Sequence, residues 1–206
     1  MKNENKIIVL GISGSLRSGS ITRRAVDIAL EGAQEFGAET QHIDLLAYDL
    51  KFSDLGAPVT PDNVLRLRQK LQSVQGMVLG TPEYHGGLSG VLKHTLDLMG
   101  FKEFEGKMLG LVGISGGKMG ATNSLNSLRT VGRSLHAWVI PEQVSLPEAW
   151  RLFDHAGKLK DPEIAERLKE VGRQVARFAY LHQAAESLDF LRNWEIATDN
   201  PGGGIR

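Results

Sequence analysis

Residues 6–24 read KIIVLGISGSLRSGSITRR, and the fold follows from how that stretch is parsed. Ile7-Ile8-Val9-Leu10 is an apolar run long enough for a strand covered on both faces. It breaks at Gly11 into a Gly/Ser-rich turn reaching Ser20, and a helical pattern begins at about Ile21. Strand, loop and helix N-terminus in that order aim backbone N–H groups and the positive end of a helix dipole at one point. That is an anion site, and spacing decides which anion. The dinucleotide fingerprint G-x-G-x-x-G is not met by Gly11, Gly14 and Gly19. A triphosphate-binding loop comes closer, since Gly14 and Gly19 bracket four residues, but Ser20 and Ile21 stand where Lys and Ser/Thr are required. What remains is a set of hydroxyls (Ser13, Ser15, Ser18, Ser20, Thr22) and the guanidinium of Arg17. Such a set suits a terminal phosphate monoester gripped from several sides. The plainer reading is a βα turn with solvated serines; the strand–loop–helix setting favours phosphate.

Outside this stretch the chain is ordinary for a water-facing globular domain: 206 residues, 41% hydrophobic and 23% charged. Lys+Arg and Asp+Glu both number 24, so formal charge is zero. A neutral balance argues against a nucleic-acid binder and against an acidic electron-carrier surface. With no cysteine, disulfides and thiolate metal sites are excluded. The polar start Met1–Lys6, too short an apolar run for a signal peptide, and no membrane-length segment give cytoplasmic residence as the expectation.

Downstream, apolar positions at Ala25, Ile28, Ala29, Gly32 and Phe36 continue the first helix, with Gly37 at its C-terminal end. Residues 38–44 read as a second strand and 45–59 as irregular. Thr60 is the expected N-cap and Pro61 the first helical residue of a helix running to about Ser73. Residues 76–80 form a third strand, 107–114 a fourth, and 137–140, extending toward Val144, a fifth. Helices fall between them, at about 91–100 and 121–135. A final helix, capped by Asp161 before Pro162, buries Ile164, Leu168, Val171, Val175 and Phe178 on one face. Strand–helix alternation implies a parallel sheet with right-handed crossovers. The expected fold is an α/β, single flavodoxin-like three-layer sandwich, its five-stranded parallel sheet ordered 2-1-3-4-5. Residues 1–188 make the domain and 189–206 a C-terminal tail, mobile or pinned by an oligomer partner through Phe190 and Trp194.

Loops after strands one, three and four are all glycine-rich: Gly11–Ser20, TPEYHGGLSG (81–90) and SGGKMG (115–120). In an open parallel sheet, ligands bind outside the carboxyl ends of the strands, where these loops converge. A phosphate at the first loop and a flat slot between the other two, with Tyr84 as an aromatic face, describe FMN. Its ring would lie between the Tyr84 loop and Ser115–Gly117, with backbone N–H groups near Gly86 and Gly117 tuning it.

GSLRSGS with a following Arg, PEYHGGLSGVLKHTLD and the SGGKMG loop together resemble the NAD(P)H-dependent FMN reductase family of flavodoxin-like proteins over about Ile7–Pro147. By position, the resemblance assigns Ser13, Ser15, Arg17, Ser20 and Thr22 to the phosphate loop. It assigns Pro82, Glu83, Tyr84, His85 and Gly86 to the isoalloxazine loop, and Ser115, Gly116 and Gly117 to the third. Thr22 and His85 each stand where the family usually has Asn. His85, with NSLRTVGRSLHAWVIPEQ (126–143), is similar to the arsenical-resistance flavoprotein branch. The resemblance implies a homodimer or homotetramer. It also implies reduction by NADPH or NADH, hydride transfer to flavin N5, and ping-pong delivery to a quinone, free flavin, azo compound or oxidised metal.

His85 is the candidate catalytic residue, a proton or hydrogen-bond donor to reduced flavin or substrate, against a loop-shaping role. The Glu83 carboxylate is expected to be solvated or salt-bridged. Arg129 and Arg133, four apart, read as a solvated helix face ahead of an NADPH contact. Asp44 reads as a cap or turn residue, and Lys118 as steering a phosphate or facing water. His42, His94, His136, His155 and His182 lack ligand spacing, so no metal site is expected. Two other functions fit the loops less well: an FMN-binding electron carrier without turnover, and a phosphate-ligand module without flavin.

Overall fold

The computed structural model describes residues 6–183. Apolar strands and amphipathic helices alternate as β1 (Ile8–Ser13), α1 (Ile21–Glu35), β2 (Glu39–Ile43), α2 (Asp62–Gln72), β3 (Gly76–Tyr84) and β4 (Gly87–Leu88). They continue as α3 (Gly90–Asp97), α4 (Phe101–Phe104), β5 (Met108–Ile114), α5 (Thr122–Ser134), β6 (Trp138–Leu146) and α6 (Pro162–Gln183). The sheet order is β2-β1-β3-β5-β6, and every neighbouring pair on that path is parallel. With the two-residue hairpin strand β4 set aside, this is the expected flavodoxin-like order.

Period-two alternation sorts the strand side chains into two cores. Val9, Val78 and Val112 face α1 and α6, together with Ala25, Val26, Val171 and Val175. Leu10, Ile12, Met77, Leu79, Leu109 and Leu111 face the other way, onto Leu67, Leu71, Leu92, Leu125 and Leu128 of α2, α3 and α5. The first face carries small residues, which lets α1 and α6 settle close. A Cβ on Gly32 would overlap the Lys169 carbonyl oxygen, and one on Gly172 the Ala29 carbonyl oxygen. These two helices touch backbone to backbone.

Four readings need correction or addition. Pro61, in extended geometry (φ −61°, ψ 149°), is itself the N-cap of α2, and no side chain caps that end; Thr60 is not the cap. Proline pre-sets its own φ but leaves ψ open, so the helix begins one residue later than expected. Residues 45–59 contain two short 3₁₀ turns, Leu45–Tyr48 and Phe52–Asp54, the first capped by Asp44, whose Oδ1 accepts from Leu46 N at 3.0 Å. β6 runs to Leu146 because a register shift opposite Leu109/Leu111 absorbs residues that would otherwise end it. Arg129 fills that irregularity, donating to Gln143 Oε1 (2.8 Å) and to the carbonyls of Ile140 (3.0 Å) and Pro141 (2.8 Å). It is neither a solvated charge nor free for a nucleotide. The tail at 189–206 lies outside the described residues.

At the N-terminal ends of the strands a polar cluster closes the sheet. Lys107 Nζ donates to the carbonyls of Gln72 (3.0 Å) and Val74 (2.5 Å), and buried Glu103 accepts from Gln72 Nε2 and Gly100 N. Burial holds the Lys107 ammonium below its ordinary 10.5, with Glu103 opposing the shift. The opposite, C-terminal edge is open for the glycine loops.

Candidate active site

The first loop is anchored before it begins to turn. Gly14 N donates to Gly80 O at 2.8 Å, joining the ends of β1 and β3. Ser89, buried at the N-cap of α3, donates its Oγ–H to Gly14 O (2.6 Å) while Oγ accepts from Leu92 N (3.2 Å). Ser89 N in turn donates to Thr81 Oγ1 at 3.0 Å, and Thr81 donates to Pro82 O at 2.9 Å. The first and second loops are therefore one hydrogen-bonded unit. Sequence reasoning missed Thr81 and Ser89; the signal was a serine ahead of the apolar helix residues 91–96.

Past Gly14 the loop leaves donors unused. Among the described residues the backbone N–H groups of Ser18, Gly19, Ile21 and Thr22 have no acceptor. Ser20 caps α1, its Oγ accepting from Arg23 N at 3.3 Å, and its hydroxyl proton has no acceptor among the described residues. Ser13 Oγ is buried and unpaired at the end of β1, and Thr22 lies buried in the first turn of α1. Ser15 Oγ supports the loop itself, accepting from Arg17 N at 3.5 Å. Arg17 is exposed, and its guanidinium stands 5.6 Å from the centroid of the Tyr84 ring. A cation–π contact thus links the first loop to the second.

The second loop is a two-residue hairpin. Glu83 pairs with Leu88 and Tyr84 with Gly87 across β3 and β4, leaving His85 and Gly86 at the tip. Both tip residues have positive φ, 52° and 77°. That is the primed hairpin turn, which favours Asn-Gly, and histidine is among the few other side chains that enter the left-handed region readily. The family's usual Asn and this chain's His85 thus meet the same backbone demand. Pro82 is buried; Tyr84, His85 and Gly86 are exposed.

Glu83 corrects the sequence reading. Its Oε2 accepts from Ser124 N at 3.0 Å, so the carboxylate caps α5, whose own N-cap residue Ala121 supplies no side-chain bond. A carboxylate at that end is also favoured by the helix dipole. Replacing Glu83 by alanine should lower the unfolding free energy by about 1 kcal/mol. Glutamine, which keeps an acceptor, should lose less than half of that; urea unfolding of both variants is the check. Equal losses would mean that the cap is not what Glu83 provides.

The third loop is held from below. Ser115 N donates to Leu146 O (2.9 Å), Ala149 N to Ser115 O (3.0 Å), and Glu148 N to Gly117 O (3.1 Å). Ser145 Oγ takes Ala121 N at 2.8 Å, and Ser115 Oγ takes Gly117 N at 3.1 Å. A Cβ on Gly116 would meet nothing within 4 Å, so this stretch of backbone borders open space. Lys118 is exposed, as is Met119 at 92%.

The residues that the sequence assigned to a flavin thus lie in, or directly beside, three loops at one edge of the sheet. Direct bonds join the first loop to the second, and the second to the helix that follows the third. The arrangement offers an anion cradle at α1 and exposed glycine backbone beside an aromatic ring.

A family model described as NADPH-dependent FMN reductase matches residues 7–151. The NADPH-dependent FMN reductase ArsH of Shigella flexneri is 33% identical over 178 residues, covering 84% of this chain and 69% of the relative. The NAD(P)H-dependent FMN reductase PA1204 of Pseudomonas aeruginosa is 32% identical over 169 residues, covering 80% and 90%. In fold, the apo crystal structure of the NADH:FMN oxidoreductase EmoB superposes with a TM-score of 0.68 at 19% identity, over 87% of this chain and 91% of that one.

Proposed function

The chain belongs to the NADPH-dependent FMN reductase family, and from that premise we propose that Ser13, Ser15, Arg17, Ser20 and Thr22 cradle the FMN phosphate. In the same proposal Pro82, Glu83, Tyr84, His85 and Gly86 flank one side of the ring, and Ser115, Gly116 and Gly117 the other. The protein is an FMN-dependent oxidoreductase that uses NAD(P)H. One observation carries the site assignment: the loop that leaves N–H groups and hydroxyls unpaired at the start of α1 is itself tied, by Gly14 to Gly80 and Ser89, to the base of the hairpin bearing Tyr84. Three features fit FMN: the buried, unpaired Ser13 Oγ, the free Ser20 proton, and the Gly116 backbone beside which no side chain lies.

When bound, FMN would supply the hydride-transfer chemistry between NAD(P)H and a second acceptor. The chain's residues bind and orient. Backbone N–H groups of the α1 turn and the Arg17 guanidinium neutralise the ester. Tyr84 offers a ring face, and glycine backbone lets a flat ligand approach without a Cβ in the way. Glu83 holds the hairpin against α5, which keeps the slot at one width. His85 serves the turn first, and its imidazole is a hydrogen-bond group at the exposed tip.

A small-molecule acceptor (quinone, free flavin, azo compound or oxidised metal) completes the cycle, in a cytoplasmic homodimer or homotetramer. Exposed Leu46, Phe52, Leu55 and Val59 support self-association. No helix among the described residues is long and apolar enough to cross a membrane. An arsenical acceptor is the second reading, supported by the 33% likeness to ArsH.

The test is steady-state oxidation of NADPH and NADH by the flavin-loaded protein, with a quinone, free FMN, an azo dye, ferric iron and an arsenical. Turnover with at least one acceptor is expected; background rates with all of them would leave an electron carrier. His85→Asn should retain flavin, because asparagine suits the turn. If its pH–rate profile matches the parent's, the imidazole takes no part in proton transfer.

A further inference from the structure

We propose that Arg24 is a phosphate-recognition residue, its guanidinium held against Gly157 so as to bind a phosphate monoester dianion at the flank of the 14–20 loop. This rests on the flavin-reductase reading above. A Cβ on Gly157 would fall on Nη1, Cζ and Nη2 of Arg24 together, so the guanidinium lies face-on against that glycine. Gly157 also has φ 82°, which a side chain would strain. The turn that carries it is firmly built. Phe153 and Leu159 pair, Gly157 N donates to Asp154 O (2.9 Å), and Asp154 Oδ1 accepts from Lys158 N (2.8 Å). The guanidinium also comes near the first loop: a Cβ on Gly19 would stand 3.9 Å from Arg24 Nη2.

Nothing among the described residues balances this charge. The half-buried Arg24 guanidinium makes no hydrogen bond or ion pair, while adjacent Arg23 stands 3.9 Å from Asp44 Oδ2. A charge fixed in place without a partner is costly unless a ligand meets it. On the same flank are the unpaired N–H groups of Gly19 and Ile21, and at the end of β1 the buried, unpaired Ser13 Oγ. A monoester dianion carries nearly two charges at neutral pH. Arg17 and the α1 dipole leave part of that unmatched, and a second guanidinium completes it. Two ligands of this enzyme class bear such a group: FMN, through its terminal ester, and NADPH, through its 2′-phosphate. The nearness of Gly19 favours the flavin.

The experiment titrates flavin-free full-length protein with FMN and with riboflavin, by quenching of flavin fluorescence, for the parent, Arg24→Gln and Gly157→Ala. It also measures KM for NADPH and NADH with FMN saturating. Arg24→Gln should raise the FMN Kd about tenfold or more and leave riboflavin within about twofold. Gly157→Ala, which displaces the guanidinium, should do the same. If FMN binding holds but the NADPH:NADH KM ratio rises, Arg24 recognises the dinucleotide's phosphate instead. Unchanged values throughout, or equal losses for FMN and riboflavin, overturn the assignment, and thermal unfolding of the variants identifies a merely structural loss. A parent protein that binds neither flavin would instead refute the cofactor reading on which this rests.

Discussion

Replacing Gly172 by alanine lowers the unfolding free energy by about 3 kcal/mol or more, one of the larger effects a single methyl group can have. Besides the overlap with Ala29 O, the added carbon would stand 2.8 Å from Ala29 C and 2.9 Å from Ala33 N. These are backbone atoms of α1, which cannot swing aside as a side chain would. The helices must separate, and the apolar contacts beneath them loosen over their whole length. For a domain of this size the loss corresponds to about 6–12 °C in Tm. Gly90 is the control: its Cβ would meet nothing within 4 Å at the start of α3, so alanine there should be neutral or stabilise by up to about 1 kcal/mol. Circular-dichroism melts of both variants decide the matter, since similar midpoints would refute backbone contact between α1 and α6.

The same helix pair carries a pH dependence. Glu35 accepts from Lys169 Nζ and from Arg173 Nη2, each at 2.6 Å. Those bonds, Lys169's first, hold its carboxyl below the ordinary 4.5. A depressed carboxyl stabilises the fold above its unfolded value and loses that contribution as pH falls through the folded one. Melts in the acid range should therefore fall more steeply for the parent than for Glu35→Gln. Because the pair is exposed, added salt should shrink the difference.

The second large effect is on the cofactor. Gly14→Ala places a Cβ 2.5 Å from Ser89 Oγ, 2.8 Å from Leu92 Cβ and 3.3 Å from Gly80 O. All three belong to the strand or helix that flanks the second loop, so relief comes from parting the first loop from the hairpin. The Ser89–Gly14 and Gly14–Gly80 bonds would be strained or lost. Overpacking of about 1–3 kcal/mol, directed at the joint between the proposed phosphate cradle and the proposed ring slot, should weaken FMN binding about tenfold or more. Flavin content after dialysis is the measurement. A variant that melts lower yet keeps its flavin would show that the two loops do not have to move together.

The sheet was legible because burial on both faces writes apolar runs, and three such runs each end in glycines. The common edge of the loops follows from that alone. What stayed hidden was contact between residues far apart in the chain. Glu83 reads as a surface carboxylate until α5 is seen to begin, 41 residues away, without a cap of its own. Arg129 reads as solvated because its acceptor carbonyls turn toward it only where β5 and β6 lose register. His85 looked like a departure from the family pattern. Its φ explains the substitution in backbone terms, and the following Gly86 was the available clue.

That irregular margin bears on how the molecule keeps company with others. The outer strand of an open sheet ordinarily offers a template for further pairing. Here proline at 141 has no amide hydrogen to lend, and the neighbouring carbonyl oxygens are already occupied by Arg129. Strand addition is therefore disfavoured along the β6 side around Pro141, which leaves β2 as the sheet's other outer strand.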